Sequence, residues 1–221
     1  MALDFGAAKC PAGREQTVDN RTDFPGPRLG CVIMASGMGT RFGGNKLMAD
    51  FGGEPMIARI LQATNGLFAR RVVVTRHADV AAFCRVSHAE VVKHDLPRRS
   101  DTVRLGLSAV GEADGCLFCP ADQPLLSRAT LCALSRAFAS SPQAIWRPAY
   151  GGEPGSPVLF PSWAFGELLA LPEGKGGGYV AKRHPESVRT LPLISPYELL
   201  DADTPEALAR LLALHRQAPQ A

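Results

Sequence analysis

Between Ala35 and Lys46 the chain reads ASGMGTRFGGNK, with Gly37, Gly39, Gly43 and Gly44 set around the cations Arg41 and Lys46, directly after the apolar run Leu29 to Ala35. A glycine-rich turn at the end of a strand lets backbone N–H groups converge on an anion, because glycine permits close approach and positive φ. Arg41 can grip phosphate oxygens through its planar fork, and Lys46 can add a compact charge. Spacing separates this turn from two common phosphate loops. The dinucleotide fingerprint is G-x-G-x-x-G, whereas Gly37, Gly39 and Gly43 give one residue more, and Thr75-Arg76 stands where an acid would follow the second strand. The P-loop needs a Lys and a hydroxyl directly after its last glycine, whereas Gly44 is followed by Asn45, Lys46 and Leu47.

The elements that must position this turn follow from hydrophobic pattern. From Leu29 the text alternates between short apolar runs (LGCVIMA, RRVVVT, AEVVK, GCLFC) and helical stretches (EPMIARILQAT, ADVAAFCRV, SDTVRLGLSAV, RATLCALSRAF). That rhythm predicts a mainly parallel sheet covered by helices on both faces, a fold that takes ligands beyond the carboxyl ends of its strands. Asp122 leaves the strand GCLFC on the side where the glycine turn lies. After Ser141 the pattern continues as AIWRPAY, the turn GGEPGSP, the strand VLF, the helix SWAFGELLAL, the loop PEGKGGGYVAKR, the strand VRTLPL and the helix TPEALARLLALHR. We expect residues 29–216 to form one domain, with residues 1–28 as a flexible extension of mixed Gly, Pro and charge and residues 217–221 as a short tail.

Composition narrows the classes. A formal charge of +3 spread over 221 residues offers no footprint for nucleic acid or an anionic membrane. No apolar run approaches the roughly 20 residues that span a bilayer. Six cysteines could form disulfides, but no leader-like segment opens the text, so reduced thiols and a cytoplasmic location are expected. Cys116 and Cys119 have half-zinc-site spacing, yet positions three apart on a strand face opposite sides, and core packing is the better reading. The five histidines show no metal-binding spacing, and no G-x-S-x-G elbow is present.

The ordered set of motifs resembles the MobA-like nucleotidyltransferase family. The glycine turn is similar to its signature loop, FCPADQPLLSRATL to its strand-end Asp and Pro, SDTVRLGL to its base-proximal helix start, GSPVLF and EGKGGGYV to its acceptor segments, and DADTPEAL to its closing acidic motif. These cover nearly everything from Leu29 to Leu208. Within the family the likeness is greatest to the cytidylyltransferases that mature the molybdenum cofactor. Three departures stand out: Ala35-Ser36-Gly37 for Ala-Ala-Gly, Gly155-Ser156-Pro157 for Gly-His-Pro, and Glu173-Gly174-Lys175-Gly176 for Gly-Asp-Lys-Gly.

The resemblance implies a three-layer α/β/α Rossmann-like nucleotidyltransferase fold and magnesium-dependent transfer of CMP from CTP to the terminal phosphate of molybdopterin. It implies Arg41, Lys46 and Asp122 as catalytic residues. Nucleotide contacts fall to Ala35, Ser36, Gly37, Met38, Gly39, Thr40, Arg41, Lys46, Ser100 and Thr102, and acceptor contacts to Gly155, Ser156, Pro157 and Lys175. The Mg2+ ligands are Asp122 and Asp203, with Asp201 a competitor for the second place. Residue chemistry leaves alternatives: Ser100, Asp101 and Thr102 could simply cap a helix, and Asp203 or Thr204 could cap the last one. Ala35 in place of a glycine narrows the base pocket and leans toward a pyrimidine, although one methyl group discriminates by only about 1–3 kcal/mol. In-class alternatives are guanylyl transfer to the same cofactor and cytidylyl transfer to a sugar or isoprenoid phosphate. Outside the class stand an NADP-dependent oxidoreductase, with Arg76 reading the 2′-phosphate, and a non-catalytic nucleotide-binding accessory that hands the cofactor to a molybdenum hydroxylase.

Overall fold

The computed structural model describes residues 26–39 and 42–217. Thr40, Arg41, most of the expected N-terminal extension and nearly all of the short C-terminal tail lie outside the described residues. The elements in chain order are β1 (Leu29–Met34), α1 (Ile57–Thr64), β2 (Arg70–Thr75), α2 (Ala78–Val86), β3 (Glu90–Lys93), α3 (Arg99–Val110), β4 (Gly115–Pro120), α4 (Arg128–Ser140), β5 (Ile145–Tyr150), β6 (Glu153–Pro154), β7 (Val158–Pro161), α5 (Phe165–Leu169), α6 (Gly178–Arg183), β8 (Val188–Pro192) and α7 (Pro205–Gln217).

All strands join one sheet in the order β3-β2-β1-β4-β7-β5-β6, with β8 also paired to β5. The pairs β3/β2, β2/β1 and β1/β4 are parallel, as the continuous apolar runs require. β7 enters antiparallel beside β4, and β8 runs parallel to β5. Alternate residues of each central strand feed two separate cores. Cys31, Ile33, Leu117 and Cys119 meet α1, α4 and α7 on one face, whereas Val32, Val74, Cys116 and Phe118 meet α3, α5 and α6 on the other. This is the expected three-layer α/β/α arrangement. Cys116 and Cys119 are fully buried in opposite cores, where desolvation raises both thiols well above their ordinary range.

Helix chemistry follows the same logic. In α4, Leu131, Leu134 and Phe138 recur on one buried face, and the Ser127 hydroxyl caps the start by accepting from the Thr130 amide at 3.1 Å. The helix α3 lies so close to the sheet that a Cβ at Gly106 would sit 2.4 Å from Val32 Cγ1. Two segments read differently in the sequence: residues 178–183, placed there in a loop, form α6, and Glu153–Pro154 add the short hairpin strand β6. Among the described residues, no helix is long and apolar enough to cross a membrane.

The close approach of α3 generates a stability prediction. Gly106→Ala should destabilise by about 1–3 kcal/mol through overpacking against Val32 and Val74. A lower denaturant midpoint at unchanged slope in urea checks it; an unchanged midpoint contradicts the packing described.

Candidate active site

The carboxyl ends of β1, β2, β3 and β4 open on one edge of the sheet. β1 sits at the switch point, with β2 on one side and β4 on the other, so the turn that leaves it has an open crevice on either flank. Backbone bonds extend the register past the strands: the Ala35 amide donates to Val74 O at 2.9 Å and the Ala121 amide to Met34 O at 3.2 Å. The turn after β1 and the turn after β4 therefore start side by side.

Lys46 projects from a short helical turn, Lys46–Met48, that Asn45 caps through its side-chain oxygen and that buried Leu47 anchors. Its residue is only 7% exposed. The ammonium donates to Asp122 Oδ2 at 2.6 Å and to Asp203 Oδ1 at 2.8 Å. Asp203 arrives beside Asp122 because the Ala202 amide donates to the Asp122 carbonyl at 2.9 Å. Burial alone would pull the lysine pKa down; the two carboxylate hydrogen bonds and their charges outweigh it and hold the group above its ordinary value. Thr204 takes the capping role at α7, accepting from the Ala207 amide at 3.2 Å. Asp201 does not bond to Lys46; it lines the same cleft and accepts from Gln123 Nε2 at 3.0 Å. Its carboxyl is pushed above the usual range, first by burial and then by the charge of Asp122.

Lys46, Asp122, Gln123 and Asp201 line a cleft of about 700 Å³, to which Asp203 is joined by its bond to Lys46. Ser36, Gly37, Met38 and Thr102 contribute to its wall, as do Ser156, Lys175, Arg99 and Lys182. Several predicted residues lie beneath that wall instead. Ala35, Ser100 and Pro157 are buried, and the Ser100 hydroxyl accepts from the Gly174 amide at 3.3 Å, so it holds the opposite loop. Gly155 packs against Leu199, where a Cβ would meet Leu199 Cδ2 at 2.8 Å. Gly39 adopts φ +59° and passes close to the Gly44 carbonyl, a path open to glycine. Asp101 caps α3 by accepting from the Arg98 amide at 3.1 Å and also pairs with Arg104 at 3.0 Å.

The segment 171–178 is fastened to α3 at three points. Arg104 donates to the Leu171 carbonyl at 2.9 Å, Arg98 pairs with Glu173, and Ser100 takes the Gly174 amide. Glycines are needed where this segment crosses its neighbours: a Cβ at Gly176 would meet Arg99 Cδ at 2.7 Å, and one at Gly177 would meet Phe160 at 2.8 Å. Sequence reading assigned no role to His77, His94 or Gln123. Their position one to three residues after β2, β3 and β4 is the signal that marks them, since strand ends face the crevice. Arg76, the residue that an NADP reading would employ, donates instead to the Asp95 carbonyl at 3.2 Å and to Met38 Sδ at 2.9 Å.

Two carboxylate oxygens converging on one cation are a donor set suited to Mg2+, which takes one or two protein carboxylates and completes its shell with water and substrate phosphate. Among the described residues, no group of three or more His, Cys, Asp or Glu forms an all-protein metal cage.

The family model described as the MobA-like NTP transferase domain matches residues 31–188. The 3-deoxy-manno-octulosonate cytidylyltransferase of Herminiimonas arsenicoxydans is 32% identical over 94 residues, 40% of this chain and 38% of that protein. The chain spans 30% to 38% of the length of the curated relatives it matches. Rv0371c from Mycobacterium tuberculosis H37Rv superposes with a TM-score of 0.75 at 24% identity, covering 84% of this chain and 98% of that one. Molybdopterin-guanine dinucleotide biosynthesis protein A from Archaeoglobus fulgidus gives a TM-score of 0.67 at 17% identity over 86% and 100% of the two chains. Likeness at these identities is likeness of fold.

The shared ammonium generates a second prediction. Lys46→Met should leave Asp122, Asp203 and Asp201 facing one another and destabilise by about 1–3 kcal/mol, a buried-pair loss discounted for the partly exposed aspartates. Because the lysine pKa is raised, its contribution is complete at and below neutral pH and fades only above about 10.5. The variant's deficit should therefore hold steady from about pH 7 to 9 and shrink only above about pH 10.5. Thermal melts from about pH 7 to 11 check this; a deficit that fades well below about pH 10 contradicts it.

Proposed function

The chain belongs to the MobA-like NTP transferase family, and we propose that it is a nucleotidyltransferase that transfers CMP from CTP to the terminal phosphate of molybdopterin in the cytoplasm. The observation that supports this reading is a cleft that Lys46 and Asp122 share with Lys175 and Arg99, with Asp203 bonded to Lys46. Lys46 and its carboxylates suit a triphosphate with its cation, and Lys175 and Arg99 suit an anionic acceptor.

An acceptor phosphate oxygen attacks the α-phosphorus while the bond to the bridging oxygen of the β-phosphate breaks and pyrophosphate leaves. Two anions must meet, so positioning and charge neutralisation supply most of the acceleration. In this reading Asp122 and Asp203 hold Mg2+, and Asp201 adds negative charge to the same cleft. Bound there, the ion neutralises phosphate charge and orients the triphosphate. Lys46 directs its ammonium at the triphosphate, and amides of the Gly37–Gly39 turn contribute N–H donors. Arg41 and Thr40 complete that cradle in the proposal. Ser36, Met38 and Thr102 border the base and ribose, with Ala35 and Ser100 supporting them from below. Ser156 and Lys175 receive the acceptor, and Gly155 and Pro157 shape the strand entry that presents Ser156.

CTP is preferred because a cytidylyltransferase stands among the relatives; Ala35, buried beneath the wall, does not support the pyrimidine lean expected of it. Molybdopterin is preferred on the motif resemblance, and a molybdopterin-guanine dinucleotide protein shares the fold. The test supplies Mg2+, molybdopterin and each of the four nucleoside triphosphates in turn. Pyrophosphate release should be fastest with CTP; indifference to all four overturns the reading. Asp122→Asn should lower kcat by roughly 10²–10³-fold, the size seen when one preorganised electrostatic partner is lost. Activity near that of the unaltered protein removes Asp122 from this role.

A further inference from the structure

Three consecutive residues of the turn after β1 are each gripped by a side chain from another strand end. The Ser36 hydroxyl donates to Val74 O at 3.1 Å and lies 2.8 Å from His94 Nε2. The Gly37 carbonyl lies 2.8 Å from His77 Nε2. Met38 Sδ lies 2.9 Å from Arg76 NH1. His77 and Arg76 follow β2, and His94 follows β3. The three residues they hold all line the cleft.

The hydrogen-bond pattern assigns the protons. A carbonyl only accepts, so His77 donates from Nε2 to Gly37. A hydroxyl has one hydrogen, and that of Ser36 is directed at Val74 O, so Oγ accepts from the Nε2–H of His94. His94 is then the neutral tautomer with a bare Nδ1, and that atom is buried with no hydrogen-bond partner.

We propose that His94, acting through the Ser36 hydroxyl, is a positioning residue that sets the 36–38 turn for the nucleotide, with His77 and Arg76 completing the bracket. The inference rests on the nucleotidyltransferase reading of the cleft. It names a recognition device that is sensitive to acid. Protonating His94 would put a charge on a half-buried ring beside the Arg76 guanidinium. The imidazole is accordingly held below its ordinary 6.5, by burial first and by the charge of Arg76 after β2; Asp101 on α3, Asp95 on its own segment and the Leu96 backbone act in the opposite sense. Below pH 6.5 the unfolded chain therefore binds a proton that the native site resists, and the clamp weakens as the pH falls.

Calorimetric titration of Mg2+ and CTP into the full chain, with KM and kcat from pyrophosphate release, tests this. His94→Ala and Ser36→Ala should each weaken CTP binding about tenfold, the size of one lost hydrogen bond, with kcat changed less than KM. The double variant should be no worse than either single one, since both remove the same contact. His94→Gln can present an N–H to the same Oγ; it should recover most of the affinity and lose the weakening that the unaltered protein shows between pH 6.5 and 5. If the unaltered protein binds CTP while both alanine variants bind within twofold of it, or if their losses add, the assignment to His94 is overturned alone. Failure of the unaltered protein to bind any nucleotide overturns it together with the nucleotidyltransferase reading.

Discussion

One ammonium joins three distant parts of the chain. Lys46 bonds to carboxylates 76 and 157 residues further along, and it does so almost wholly out of solvent. Burying that charge is tolerable only because two carboxylates share it, so Asn45's turn, the end of β4 and the approach to α7 must all be correctly placed at once. Two local contacts meet this condition: the Asn45 side chain caps the lysine's turn, and the Ala202 amide donates to the carbonyl of Asp122 itself. The same convergence that stabilises the lysine makes the spot suitable for a more highly charged cation and for the anionic tail of a nucleotide.

The sheet explains why those parts can converge. Parallel strands around β1 send four successive loops to one edge, and the order of strands opens a crevice there. The far wall comes from the later part of the chain, where β7 turns antiparallel beside β4 and the segment 171–178 is fastened to α3 by Arg98, Ser100 and Arg104. Ser100 illustrates the division of labour: it stands in a motif that suggests substrate contact, yet it is buried and its hydroxyl holds the opposing loop. Gly155 behaves similarly, packed under Leu199 while Ser156 faces the cleft.

Much of this was legible in the sequence because buried parallel strands are written as uninterrupted apolar runs. LGCVIM, RRVVVT and GCLFCP could be read directly, and the helices between them carry periodic apolar residues. The helix Gly178–Arg183 was not legible, since three glycines precede its first apolar residue and local propensity argues for a loop; packing of Val180 and Ala181 against the second core overrides it. The site shows the same contrast. The glycine turn and Asp122 announce themselves by composition and by strand-end position, while the choice between Asp201 and Asp203 as the partner of Lys46 depends on a backbone bond across 80 residues of sequence. His94 and His77 are marked in the sequence only by standing just after β3 and β2; their partners, 58 and 40 residues away, leave no local pattern.

The central claim is that the carboxylates gathered by Lys46 are a cation site completed by nucleotide. Electron paramagnetic resonance of Mn2+ titrated into the protein, alone and with a non-hydrolysable CTP analogue, tests it most directly. The account predicts that the analogue tightens Mn2+ binding at least tenfold and that Asp203→Asn removes the gain. Equal Mn2+ binding with and without the analogue, or a gain untouched by Asp203→Asn, contradicts it.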